Sequence, residues 1–182
     1  MRLSNAVRVM DRRLTKRMAS WQEPVLHRTL SAVEEAAESS KLWCGAAAVM
    51  AWGGGWKGRK AAVTGLAALT LAQLVSNGVC KQVSNRPRPP EEWIPHDEVE
   101  DRPASSSFPS GHTAAAVAFT AAVASSWPVA GMTCAVPAAL VAVERVQSGA
   151  HYPSDVGAGA AIGLVSAWLV RHLPQQALRM WR

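Results

Sequence analysis

Apolar residues gather in five runs, residues 42–56, 61–80, 112–127, 129–143 and 156–170, and a mixed basic and apolar segment precedes them. Only the second run reaches the roughly 20 residues that cross a bilayer comfortably. The others would rise only about 22 to 24 Å as straight helix, so polar helical extensions, snorkelling ends or a thinned bilayer must complete a crossing. Small residues fill the third run (Ala114, Ala115, Ala116, Ala118) and the fifth, where Gly159-x-x-x-Gly163 lets helix backbones approach closely. The pattern predicts an all-α integral-membrane helical bundle of about five spans.

Residues 1–40 read differently. Arg8, Arg12, Arg13, Lys16 and Arg17 alternate irregularly with Val7, Val9, Met10, Leu14 and Met18, the mixture of an amphipathic helix lying at a membrane surface, with Pro24 as its break. The organisation expected is therefore a basic N-terminal segment, 1–40, and a membrane-embedded domain, 41–182. Within that domain residues 81–111 form the only long loop, rich in Pro and acids, and a loop of that length is expected to serve the site.

Composition sharpens this picture. Hydrophobic residues make up 49% of the 182, and eight Trp stand against one Tyr and two Phe. Trp43, Trp52, Trp56, Trp127 and Trp168 lie near the ends of apolar runs, where interface anchors belong. The net charge of +6 is compatible with nucleic acid, an anionic surface or a phosphate substrate. No basic stripe interleaved with aromatics supports nucleic acid, and the cations instead flank the apolar runs. Cys44, Cys80 and Cys134 are widely spaced and suit neither a disulfide framework nor a zinc site; inert buried thiols are expected.

Three short blocks carry the chemistry. Lys81 with Arg88-Pro89, Pro109-Ser110-Gly111-His112, and Arg145 with His151 and Asp155 all fall at run ends that emerge on one face of a five-span bundle. Ser110, Gly111 and His112 precede an Ala-rich helix, so their N–H groups and the helix dipole favour an anion. Lys81, Arg88 and Arg145 supply a cationic clamp for phosphate oxygens. Asp155, four residues after His151, is expected to fix its tautomer and leave the other nitrogen as nucleophile. His112 is then the acid for the leaving oxygen. No metal or other cofactor is required by this set. Arg86 and Arg102 read as membrane-flanking cations.

The three blocks resemble those of the type 2 phosphatidic acid phosphatase family of integral-membrane lipid phosphate phosphatases. The resemblance covers residues 81–155 and implies Lys81, Arg88 and Arg145 as phosphate ligands, Ser110 and Gly111 as part of the phosphate cradle, His112 as acid, His151 as nucleophile and Asp155 as its partner. It also implies a helical bundle without a metal cofactor. The small size and the Ser105–His112 sequence look like compact bacterial members, some of which act on polyprenyl phosphates, decaprenylphosphoryl-phosphoribose derivatives among them. Two features depart from the family: Glu144 stands where many members have Ser, and five spans are counted where membrane members commonly have six.

A multi-pass cell-membrane phosphatase acting on a lipid phosphate is the function expected. Its substrate would be a polyprenyl phosphate derivative, phosphatidic acid, phosphatidylglycerol phosphate or undecaprenyl diphosphate. The rivals are a non-catalytic lipid-phosphate carrier, which would need neither histidine, and a soluble acid phosphatase. The family resemblance implies an extracytoplasmic site, whereas Lys and Arg on the motif side point to the cytoplasm. Homo-oligomer formation is left open.

Overall fold

The computed structural model describes residues 4–21, 23–94 and 105–180, with side chains up to residue 172. The acids Asp97, Glu98, Glu100 and Asp101, with Arg102, and the side chains of Arg179 and Arg182, lie outside the described residues. Among those described there is no strand, and seven α-helices follow one another: α1 (Asn5–Ala19), α2 (Pro24–Ala37), α3 (Lys41–Gly53), α4 (Gly55–Gln73), α5 (Gly111–Ser126), α6 (Pro128–Gln147) and α7 (Pro153–Met180).

Local chemistry sets the boundaries. Ser4 caps α1 by accepting the Val7 N–H at 3.3 Å, and Lys16 and Arg17 occupy its last turn, where cations suit the helix dipole. Pro24 does break the N-terminal segment, as the first residue of α2, where its missing N–H costs nothing. Ser39 and Ser40 both take positive φ, 50° and 63°, and turn the chain into α3.

The predicted second run begins earlier than its apolar core. α4 starts at Gly55, so Lys57, Arg59 and Lys60 form a polar extension of the helix. With its π-helical end, Leu74–Cys80, it makes a 26-residue rod, about 39 Å long.

α5 is the centre of the bundle and packs against α4, α6 and α7. Its apolar residues are spread around the helix, as suits one with neighbours on several sides. Ala114, Ala115, Ala116, Ala118, Phe119, Ala122 and Val123 are all buried. Lipid tails are as apolar as these side chains, so close packing rather than exclusion from water holds such helices together. A Cβ on Gly163 of α7 would meet the Ala114 carbonyl at 2.6 Å, and one on Gly65 of α4 would meet Phe119 at 2.9 Å.

Among the described residues three helices, Gly55–Cys80, Pro128–Gln147 and Pro153–His172, are long and apolar enough to cross a membrane. The outer faces of these helices are apolar and uncovered, with Val63, Met132, Val136, Leu164 and Val165 exposed. α3, at 13 residues, and α5, at 16, are shorter. Trp52 and Trp56 are 93% and 82% exposed at the α3–α4 turn, at the end of the bundle away from the motifs.

Two expectations need correction. Trp43 is not an interface anchor: it is a core residue whose ring lies 5.3 Å from that of Phe119. Of the cysteines only Cys134 is buried, because Cys44, next to the inward Trp43, turns outward on α3, and Cys80 is partly exposed.

Candidate active site

The ends of α4, α5, α6 and α7 that carry the three blocks lie at one end of the bundle. Lys81 follows the π-helical segment directly, and its amide donates to the Ser76 carbonyl, five residues back, at 3.0 Å. Such π segments are frequent at functional sites, where the extra residue re-aims the side chains beyond it. Asn77 on this segment approaches α5 so closely that a Cβ on Gly111 would meet its Oδ1 at 2.5 Å. Glycine at 111 therefore serves helix approach as well as access to an anion.

Ser110 caps α5. Its Oγ accepts the Thr113 N–H at 3.4 Å and lies 2.9 Å from Thr113 Oγ1. The Ser110 N–H donates to the backbone carbonyl of Asp155 at 3.1 Å. The expectation that this amide points at an anion is thus corrected, because it links two motif blocks instead. Among the described residues, the Gly111 and His112 amides keep no protein partner, leaving them as the helix-start donors of the site.

The third block is shaped by a left-handed glycine. Gly149, at φ 66°, ends α6 and bends the chain so that the His151 N–H donates to the Arg145 carbonyl at 2.8 Å. His151 is buried, and its Nδ1–H donates to the Ser107 carbonyl at 2.5 Å. A carbonyl only accepts, so this bond assigns the proton to Nδ1 and leaves Nε2 with a free electron pair. The imidazole is held well below the ordinary histidine range, first by burial and then by the Arg88 charge, partly opposed by the Ser107 bond; Arg145 and Lys81 lower it further. Lys81 is likewise lowered, by burial and then by Arg88. His112 stands in the field of the same three cations, Arg145, Lys81 and Arg88.

The fold thus groups Lys81, Arg88, Arg145, His112 and His151. The expected pairing of Asp155 with His151 is not what holds the imidazole. Asp155 is fully buried, and its Oδ1 accepts from Arg86 Nη1 at 2.5 Å, while its Oδ2 accepts the Tyr152 N–H at 2.9 Å. In that position it caps the start of α7. Ser107 supplies the histidine's acceptor through its backbone, which no side-chain motif could announce.

Arg86 is also not a membrane-flanking cation. Its Nη2 donates to Asp11 Oδ2 of α1 at 2.6 Å, its Nη1 to Ser154 Oγ at 2.8 Å, and its guanidinium carbon lies 4.2 Å from the centroid of the Tyr152 ring.

The other guanidinium groups are engaged too. Arg88 Nη1 donates to the Ala150 carbonyl at 2.6 Å. Arg145 pairs through Nε with Glu144 and through Nη2 with Glu34 of α2, the latter at 2.5 Å. Glu144, the departure from the family noted above, tethers Arg145, and Glu34 adds a second carboxylate that sequence spacing gave no reason to expect.

A cavity of about 620 Å³ opens beside this cluster, with Lys81, Gly111 and His112 on one wall and Gln73, Asn77 and Trp43 among its other lining residues. His151, Arg88 and Arg145 are not on its wall. Among the described residues no three His, Cys, Asp or Glu side chains group as metal ligands.

A family model described as the PAP2 superfamily matches residues 61–179. The chain belongs to this family. Among curated proteins, it is 49% identical over 65 residues to a lipid A 1-phosphatase of Rhizobium johnstonii, covering 34% of this chain and 24% of that protein. A lipid A 1-phosphatase of Rhizobium etli is 50% identical over 60 residues, 31% of this chain and 25% of that protein. The matched segment thus spans about a quarter of each curated relative's length.

Solved structures share the fold. A transmembrane PAP2-type phosphatidylglycerolphosphate phosphatase from Bacillus subtilis superposes with a TM-score of 0.68 at 24% identity, covering 95% of this chain and 88% of the other. Aquifex aeolicus LpxE superposes with a TM-score of 0.70 at 22% identity, covering 87% and 92%. The helical bundle read from the apolar runs is therefore that of PAP2 membrane phosphatases.

Proposed function

We propose that this protein is a multi-pass cell-membrane lipid phosphatase that removes a terminal phosphate through a phosphohistidine intermediate. The observation that carries the reading is the His151 imidazole, tautomerically assigned by the Ser107 carbonyl and set in the field of Lys81, Arg88 and Arg145. His151 Nε2 attacks phosphorus, and the bond from phosphorus to the lipid oxygen breaks as His112, held protonated by the negative charge of the bound phosphate against the surrounding cations, gives that oxygen its proton. Water then attacks phosphorus and gives a proton to His112 as the phosphorus–nitrogen bond breaks, its electron pair returning to His151 Nε2, which releases inorganic phosphate and restores both histidines.

Charge on the equatorial oxygens is met by the three cations and by the Gly111 and His112 amides, with Ser110 holding the helix start. That arrangement supports a metal-independent reaction. Polyprenyl phosphate derivatives are the first substrate class, followed by phosphatidic acid and phosphatidylglycerol phosphate, with the tail against the exposed apolar helix faces.

The test is phosphate release by detergent-purified protein from a panel of prenyl and glycerol lipid phosphates, with chelator present and His151→Ala in parallel. Turnover that survives chelator and is lost in His151→Ala, with acid-labile, base-stable phosphate trapped on the wild-type enzyme, is the expected result. Turnover retained by His151→Ala, or abolished by chelator, would overturn the mechanism.

A further inference from the structure

We infer that Asp11 of α1 and Arg86 of the long loop are positioning residues of the active site, so that the N-terminal helix is a working part of the phosphatase. The inference rests on the phosphatase reading given above.

The observation is a buried ionic chain linking remote segments. Asp11 is 1% and Asp155 0% exposed, and one guanidinium, Arg86, joins them at 2.6 and 2.5 Å. Asp11 also accepts the Ser154 N–H at 3.0 Å and the Ser154 hydroxyl at 2.7 Å. Asp155 in turn accepts the Tyr152 N–H, and the Tyr152 ring lies against the Arg86 guanidinium. Tyr152 follows His151 directly. The backbone that carries the proposed nucleophile is therefore fixed from the far side by Arg86, and Arg86 is fixed by α1.

The same guanidinium does not serve as a phosphate ligand. Both of its terminal nitrogens are committed to Asp11, Asp155 and Ser154. Its backbone secures the opposite side of the site as well, since the Arg86 carbonyl accepts the N–H of Ser107, whose own carbonyl holds His151. One residue thus connects both supports of the imidazole. α1 is pinned to the same loop a second time, where Lys16 and Arg12 lie 4.9 and 5.5 Å from the Trp93 ring centroid. Burying two carboxylates against a single guanidinium is a costly arrangement unless each partner is in place, so the site depends on α1 being docked.

The experiment measures kcat, KM and the rate of phosphoenzyme formation for Arg86→Met, Arg86→Lys and Asp11→Asn on the best substrate of the lipid panel, with melting in detergent followed for each. A displacement of the nucleophile by an ångström can cost on the order of a hundredfold. Arg86→Met is accordingly expected to lose kcat and phosphoenzyme formation to that degree while KM stays within a few-fold. Arg86→Lys should regain part of the rate, and Asp11→Asn, which leaves Arg86 held by Asp155, should lose kcat in the same direction to a smaller degree. If Arg86→Met does not fold, the other two variants decide. Wild-type kcat in both Arg86→Lys and Asp11→Asn, or a loss carried by KM alone, overturns the inference. A wild-type protein inert on every lipid phosphate would instead remove the phosphatase reading, and the inference with it.

Discussion

Glu34 on α2 and Arg145 at the end of α6 form an ion pair of 2.5 Å that places a carboxylate of the N-terminal segment on one of the proposed phosphate ligands. The Arg145 side chain is 9% exposed, whereas that of Glu34 is 39% exposed. Glu34 can therefore swing toward water when a phosphate arrives, and Glu144, buried on Nε, can remain. Glu34→Gln should lower KM for the lipid phosphate a few-fold and leave kcat nearly unchanged, because a competing anion is removed and no reacting group is touched. Steady-state kinetics and inhibition by inorganic phosphate check this; a raised KM would show that Glu34 orients Arg145 and does not compete for it.

Glu144→Ser reproduces the residue common in the family. It leaves Arg145 paired with Glu34 and removes a buried carboxylate, so activity should stay within a few-fold of wild type. A loss as deep as that of His151→Ala would mean that Glu144 belongs to the reacting set.

The pH dependence has a definite sign. Burial and the Arg88 charge hold His151 well below the ordinary histidine range, so the imidazole stays unprotonated, and able to attack, at pH values where a free histidine near 6.5 would be protonated. The acid limb of kcat/KM should lie below that value. Arg88→Gln removes a charge that depresses the imidazole, so its limb should move to higher pH, together with a weaker affinity for phosphate. Comparing the two profiles on one substrate cancels the substrate's own titration, and an unmoved limb would show that His151 does not set it.

Helix approach gives a stability prediction. A Cβ at Gly159 would run into the Ser110 carbonyl at the start of α5, and one at Gly163 into that of Ala114. Gly163→Val should cost about 1–3 kcal/mol as an overpacked contact, read as a lower melting temperature in detergent. Gly159→Ala should also slow turnover, since the backbone it displaces carries the cap of the His112 helix. Gly157, with open space around its Cα, should accept Ala without loss.

Much of this protein is legible along the chain because its causes are local. Runs of apolar residues became helices, Pro24 opened one, and the two glycines of Gly159-x-x-x-Gly163 allow the close crossing of α7 on α5. The motif blocks also fell at helix ends on one side, since alternating up-and-down helices leave no other arrangement. Less legible were the ends of the helices. α4 began six residues before its apolar run because polar residues extend a helix without interrupting it.

The amino-acid sequence by itself determined the bundle, the location of the three blocks and the identity of the groups available for phosphoryl chemistry. Only the tertiary structure decided who holds whom: Ser107 rather than Asp155 on His151, Arg86 between Asp11 and Asp155, and Glu34 on Arg145. The physical reason is that helix formation and burial depend on neighbours a few positions apart, while a buried charge takes whichever partner the packing of remote segments brings within hydrogen-bonding distance.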